Sequence, residues 1–377
     1  MDFKFSEEEE IFRKSVREFC QRHIAPKWVE MDEKGEISVD LIKAMAKQGM
    51  IGTLISPDYG GPGGSAVMAT VAIEEVAYHD PSLATAVYLL LHNSWPYIFQ
   101  VYGEEEAKEE ILPRITRGEA AFGIASTEAQ GGSDVAGIRT LTARRRDAKT
   151  WVVNGEKTIV SGSSAVERLP WGGGWFLVAR TGPVEERHRS ITNFAFLARR
   201  GGDRVPGCEY EVFEEIGRHG IKTGTITFKD AEVEDKYRIG EENRGFRIAM
   251  QGFNLARCLV GIASIGCAKW ALDQAVEWVR ERKLWGKPIS AFQGVSFKFA
   301  ELYAEVEAAR LLCYRAAWLA DRYYLEKDPS VSMRDIAIAA ACAKMKAPEA
   351  AMRVCEEVMK WHGGMAYFKE LPLYRAW

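Results

Sequence analysis

The feature that most restricts the fold of this 377-residue chain is its hydrophobic periodicity, which changes twice, from helical to strand-like and back to helical. From Phe5 to about Gly118 the apolar residues recur at helical spacing. Ser6 predicts the cap of a helix whose first turn is Glu7 to Glu10, with Phe5, Phe12, Val16 and Phe19 on one face. A second helix is expected after Ser38, with Leu41, Ile42 and Met45 inward and Gly49 closing it. PDYGGPGG, Pro57 to Gly64, is loop by composition, and helical text resumes at Ala66 to His79 and at Leu83 to Tyr102.

Between about Ala121 and Asp235 the period is two. In TWVVNGEKTIV the pair Asn154-Gly155 predicts a hairpin turn between two strands. WFLVAR (Trp175 to Arg180), NFAFLA (Asn193 to Ala198) and TITFKD (Thr225 to Asp230) are further strands. After Gly245 come three long helical runs: Phe246 to Arg282, Phe292 to Tyr324 and Met333 to Trp361, the last with a kink expected at Pro348. In the second run Phe292, Val295, Phe299, Leu302, Val306, Ala309, Cys313 and Ala316 alternate steps of three and four, the seam of a bundle helix. The expected architecture is therefore α+β and multi-domain: an N-terminal helical domain (1–120), a middle β-domain (121–235) and a C-terminal helical bundle (236–377).

Charge excludes some partners. The 50 basic and 53 acidic residues nearly cancel, which gives no electrostatic reason to expect nucleic acid or an anionic membrane. Arg144 to Arg146 and Arg199-Arg200 read as solvated strand ends. Seven scattered cysteines without a C-x-x-C read as reduced core residues of a cytoplasmic protein, and the acidic start MDFKFSEEEE is neither a signal nor a transit peptide. No membrane span is expected; the most apolar run, Leu83 to Leu91, is too short. The six histidines have no metal-ligand spacing, so no metal is expected, and the usual hydrolase and nucleotide-loop signatures are missing. Chemistry here calls for a bound cofactor.

AFGIASTEAQGGSDVAGIRT, Ala121 to Thr140, must bend tightly while presenting hydroxyls and amide N–H groups. Its core, TEAQGGSD (Thr127 to Asp134), is similar to the T-E-x-x-x-G-S-D segment of the acyl-CoA dehydrogenase family of flavoproteins. NGEKTIVSG (Asn154 to Gly162), ERKLWGKPISAFQ (Glu281 to Gln293) and WHGGMAY (Trp361 to Tyr367) resemble further family motifs in the same order. The resemblance covers essentially the whole chain and implies the acyl-CoA dehydrogenase-like fold with FAD as cofactor. By that resemblance Ser126 and Thr127 would meet the flavin's pyrimidine edge, Ser161 would bond near N5, and Ile159, in place of the usual aromatic, would pack on the ring. Arg282, Trp285 and Gln293 match residues that hold the pyrophosphate and adenosine half of FAD across a subunit boundary, which implies a homo-oligomer, dimer or tetramer. Gly363 and Gly364 match the family's glycine pair, with Lys360 where a glutamine is common. On the substrate side Ser133 would contact the CoA moiety and Arg257 matches an arginine, while Asn254 stands for an aspartate. His219 and Ile221 replace an arginine and a serine before the matching Thr223.

The family chemistry pairs loss of the α-proton of an acyl thioester to a carboxylate with hydride transfer from the β-carbon to flavin. One family position for that base is Ala256 here, and the commoner one is expected beyond Trp377, in a continuation of the chain. The resemblance thus implies a fatty-acid-metabolising oxidoreductase that takes acyl-CoA and passes electrons to an electron-transfer flavoprotein. The alternatives are a flavin oxidase or monooxygenase on the same fold, or a non-catalytic interaction protein that keeps it. Trp95 and Phe99 match a helix that lines the acyl pocket, where large rings would favour a short or compact acyl group; the competing expectation is that both fill the core.

Overall fold

The computed structural model describes residues 4–377. Ser6 caps helix α1 (Glu7–His23) with a complete capping box: its Oγ accepts from the Glu9 N–H, and the Glu9 carboxylate accepts from the Ser6 N–H. Helices α2 (Trp28–Lys34) and α3 (Val39–Lys47) follow. Ser38 caps α3, whose Leu41, Ile42 and Met45 are buried, and Gly49 ends it at φ +74°. Then come α4 (Ala66–His79), α5 (Ala84–Tyr102) and α6 (Glu105–Thr116).

The strand-period text builds one nine-stranded sheet from β1 (Ala120–Ala125), β2 (Thr142–Arg145), β3 (Thr150–Ser161), β4 (Gly172–Arg180), β5 (Ile191–Arg200), β6 (Asp203–Arg204), β7 (Cys208–Val212), β8 (Thr223–Glu234) and β9 (Arg238–Ile239). The order is β6-β5-β4-β2-β3-β8-β7, with β1 parallel to β4 and β9 antiparallel to β5. A short helix, α7 (Ser163–Arg168), leaves the end of β3.

The hairpin expected at Asn154-Gly155 is absent. β3 runs through both residues as one strand against β8, and its register shifts between Val153 and Gly155. Gly155 sits at φ +119°, where a Cβ would lie 2.1 Å from the Thr140 carbonyl oxygen. Asn154 and Asp230 exchange two hydrogen bonds across the bulge, at 3.1 and 2.9 Å. A tight turn and a bulge make the same local demand for positive φ, and pairing with the distant β8 decides between them.

The three C-terminal runs become α8 (Gly245–Glu281), α9 (Gln293–Tyr324) and α10 (Met333–His362), with a small ribbon, β10 (Lys283–Leu284) and β11 (Lys287–Pro288), joining the first two. Leu302, Val306, Ala309, Cys313 and Ala316 of the seam are buried, whereas Phe292, Val295 and Phe299 are half-buried. α10 continues unbroken through Pro348. α8 is long and apolar enough to cross a membrane, which the sequence reading did not anticipate, but 67% of its most apolar window is buried inside the fold, as in a core helix. All seven cysteines are free thiols, and only Cys342 is exposed.

The chain divides into two compact units, residues 4–33, 65–87 and 257–377 in one and 34–64 and 88–256 in the other. The first is helical apart from the β10–β11 ribbon; the second carries the large sheet. The units cross the segment limits read from the sequence because α5 and α8 each continue from one unit into the other.

Candidate functional site

Strand β1 is pinned at its start by a histidine. The Phe122 N–H donates to Nε2 of His92 at 3.0 Å, so the ring proton sits on Nδ1, which donates to the Tyr88 carbonyl at 2.7 Å. Burial lowers the His92 pKa to about 4, against the carbonyl bond that supports the charged form, and the ring is neutral. β1 then runs through buried Ala121, Phe122 and Ala125 and delivers Ser126 and Thr127 beside β3.

Two bonds from β3 hold those residues. The Thr158 N–H donates to the Thr127 carbonyl at 2.9 Å, and the Lys157 ammonium donates to the Ser126 carbonyl at 3.0 Å. Lys157 also donates to Glu128 Oε1 at 2.9 Å, and both side chains are wholly buried. Glu128 also accepts from its own loop: Oε2 from the Arg139 and Thr140 N–H groups at 2.8 Å each and from Gln130 Nε2 at 2.5 Å, and Oε1 from the Leu141 N–H at 3.1 Å. One carboxylate therefore closes the whole loop from residue 128 to residue 141. Arg180, buried on β4, takes the loop's carbonyls: its guanidinium donates to Ala136 at 2.7 Å and to Ile138 at 2.7 and 2.9 Å.

Burial works to raise the Glu128 pKa, but the Lys157 charge and hydrogen bond and the Thr140 and Arg139 N–H groups outweigh it and hold the carboxyl at about 2. Burial lowers Lys157 to about 8 while Glu128 resists the change, so at neutral pH the pair stands as ammonium and carboxylate. Neither residue was singled out from the sequence. A signal was there for one of them: Lys157 is a charged residue set in strand-like motif text, where an inward-facing ionised side chain needs a partner, whereas Glu128 lies in glycine-rich loop text that gives no such sign.

Beyond Lys157 the β3–β8 register shifts again before Val160, and Ile159 takes φ +56° with 65% of its surface exposed. A β-branched residue in the left-handed region is strained. Ser161 follows, its Oγ 3.2 Å from Thr223 Oγ1. The hydroxyls of Ser126 and Thr127 have no protein partner among the described residues. The structure thus gathers Ser126, Thr127, Ile159 and Ser161 at one edge of the sheet unit. Ser133 lies exposed on the adjoining loop. Thr223 receives a hydrogen bond from Arg218 at 3.2 Å, so a guanidinium reaches this strand from one residue before His219. Sequence matching placed the substitution but missed that neighbour.

Trp95 and Phe99 do not line an open pocket. Trp95 is 1% exposed and packs on Phe176 and Phe253 at 5.0 and 5.1 Å, and Phe99 is fully buried 5.8 Å from Phe122. They fill the core, as aromatic side chains at this spacing commonly do. Asn254 is buried, Ala256 half-buried and Arg257 exposed along α8.

The remaining candidates lie in the helical unit. Trp285 and Gly286 form the two-residue turn of the β10–β11 ribbon, with φ +50° and +82°, the backbone of a type I′ turn. Trp285 is 87% exposed, with its ring edge-on to Phe292 at 5.8 Å. Arg282 and Gln293, either side of the ribbon, are exposed and have no side-chain partner among the described residues. Gly363, at φ +59°, and Gly364 end α10 with nothing within 4 Å of where a Cβ would stand. Trp361 links these places: its carbonyl accepts from Trp278 Nε1 at 2.9 Å, and its ring stacks 6.2 Å from Phe299.

Comparison with known proteins agrees along the whole chain. The family model for the acyl-CoA dehydrogenase N-terminal domain matches residues 6–119, that for the middle domain 123–231, and that for the C-terminal domain 243–377. An acyl-CoA dehydrogenase of Bacillus subtilis (strain 168) is 32% identical over 373 residues, covering 98% of this chain and 91% of the relative. The solved butyryl-CoA dehydrogenase of Megasphaera elsdenii superposes with a TM-score of 0.88 at 30% identity, covering 100% of this chain and 93% of its own. A solved chain of the electron transferring flavoprotein of Acidaminococcus fermentans superposes with a TM-score of 0.89 at 28% identity, again covering 100% and 93%.

Proposed function

The chain belongs to the acyl-CoA dehydrogenase family, whose members are FAD flavoproteins, and from that membership we propose that it dehydrogenates the α,β bond of an acyl-CoA thioester with FAD bound. The observation that carries the reading is the sheet edge of Ser126, Thr127, Ile159 and Ser161. It fits a flavin ring: among the described residues two hydroxyls lack protein partners and a third is shared only with Thr223, and a strained, exposed aliphatic side chain lies beside them. When bound, FAD supplies the hydride acceptor. Ser126 and Thr127 would bind the polar rim of the ring, Ser161 would hydrogen-bond near its reactive centre, and Ile159 would cover its face and exclude water.

Arg282, Trp285 and Gln293, with Gly363 and Gly364, would hold the pyrophosphate and adenosine half of a cofactor seated on a second copy, so the assembly is a homo-oligomer. Two observations support this. The Arg282 guanidinium is a surface cation without a side-chain partner among the described residues, suited to phosphate. Phe297, Leu311 and Trp318 on α9 and Ile338, Met345 and Met352 on α10 are exposed at seven-residue spacings or multiples of them, an apolar face that fits helices of another copy. Ser133, Asn254 and Arg257 would face the CoA thioester. Ala256 carries no carboxylate, and the proposal assigns the α-proton to no residue of this chain.

A short acyl group is supported by the similarity to butyryl-CoA dehydrogenase, and no longer by Trp95 and Phe99. Electron delivery to an electron-transfer flavoprotein is supported by the second solved relative. Domain limits of 1–120, 121–235 and 236–377 are supported by the three matched spans, and a cytoplasmic location is proposed from the sequence alone. The test is to load the purified chain with FAD and add butyryl-CoA without oxygen. Bound yellow flavin whose absorption shifts on addition is expected of this chain, and bleaching requires in addition a carboxylate base at the α-proton; a protein that retains no FAD overturns the reading.

A further inference from the structure

We propose that the buried Glu128–Lys157 pair, with Arg180 behind it, is a positioning device that sets the geometry of the flavin-facing edge; the inference rests on the flavin reading above. A buried ion pair is a poor way to gain stability, because desolvation offsets most of the attraction and an apolar pair of equal volume is often as stable. An apolar pair could not make the bonds seen here. Lys157 donates to the Ser126 carbonyl, and the Thr158 N–H next to it donates to the Thr127 carbonyl, so both carbonyls at the start of the loop are engaged from β3. Their hydroxyls are the groups left without partners among the described residues.

The same lysine ends the regular part of β3. The register shift that gives Ile159 its positive φ begins at Lys157, the last residue paired in register with Ile226. One inward-pointing ammonium thus anchors both strips of the edge, Ser126-Thr127 and Ile159. The loop carrying Ser133 is held by charges of both signs: Glu128 collects the N–H groups of residues 139 to 141, and Arg180 collects the carbonyls of 136 and 138. Glycine-rich text such as QGGSDVAG has little side chain of its own to fix a path, and buried charges supply what local propensity does not.

The decisive variant is the double substitution Glu128→Gln with Lys157→Met, which removes both charges together, so that neither ion is left without its counter-ion, while the amide can accept loop N–H groups at one of the two former carboxylate oxygens only. We expect it to fold with a melting temperature above that of Lys157→Met alone, to bind FAD about tenfold or more weakly, and to shift the absorption band of what it binds. Lys157→Met alone, which strands the carboxylate, should lower the melting temperature as well. A double variant with wild-type FAD affinity and spectrum overturns the proposal, and so does one that cannot fold, since the pair is then a structural tie. Wild-type protein that binds no FAD refutes the flavin reading instead. In that event amide hydrogen exchange on the FAD-free chains still tests the device: faster exchange at residues 126, 127 and 139–141 in the double variant supports it, and unchanged exchange overturns it.

Discussion

Glu74 in the helical unit and Glu128 in the sheet unit are both buried, both held at a pKa of about 2 against burial, and both bonded at each oxygen, yet their partners differ in kind. Glu74, on α4, is met by side chains alone: Lys269 at 2.8 Å from α8, and Arg310 at 2.7 Å and Tyr314 at 2.5 Å from α9. Glu128 is met by two side chains, Lys157 and the loop's own Gln130, and by three backbone N–H groups of its own loop. The first arrangement joins three helices and contributes to the stability of a bundle. The second gives an otherwise unspecified loop one path. The same buried carboxylate serves packing where its partners come from separate elements, and site geometry where they come from one stretch of backbone.

Substitutions can break that contrast. Glu74→Ala strands two cations in the bundle and should cost about 3–5 kcal/mol in urea denaturation, while FAD affinity of the folded fraction stays at the wild-type level. A loss of affinity as large as that of the Glu128→Gln, Lys157→Met protein would abolish the distinction. Gly155→Ala comes next. Its Cβ would press on the Thr140 carbonyl, whose residue donates to Glu128, so about 1–3 kcal/mol should be lost together with FAD affinity, as thermal melting and flavin titration would show.

Acid sharpens the comparison. Each glutamate's folded pKa lies below the ordinary value of 4.5, so each contributes stability that is present above that pH and is lost as pH falls toward about 2. Glu74→Gln and Glu128→Gln should each flatten this limb of the stability profile; an unchanged limb in either would show that its carboxylate is not held ionised. The smallest stability effect belongs to Arg282→Ala, within about 0.5 kcal/mol, because an exposed guanidinium without a side-chain partner among the described residues is removed. FAD occupancy should fall nonetheless. A tightly flavinated monomer, seen by light scattering and absorbance, would end the cross-copy reading.

Much of the fold was legible from local text. The capping box at Ser6, the close of α3 at Gly49 and the limits of the three long C-terminal helices depend on residues within a few positions of each other, and the structure agrees with them to within a residue or two. The motif text also marked Ser126, Thr127, Ile159 and Ser161, which the sheet gathers at one edge. Arg218 and the particular rings that meet Trp95 and Phe99 in the core were not legible, because what faces a side chain across a sheet or between helices comes from distant parts of the chain.

The sequence by itself determined which segments are helix and which are strand, since periodicity, caps and glycine positions act through short-range sterics and hydrogen bonding. It also determined that Asn154-Gly155 would adopt an unusual backbone. Only the tertiary structure decided that this backbone is a bulge in a continuous strand, that Lys157 meets a glutamate 29 residues earlier in the chain, and that Glu128 closes a loop by its N–H groups. A buried charge has no stable state until a counter-charge and hydrogen bonds reach it, and those arrive only when β1, β3 and β4 have come together.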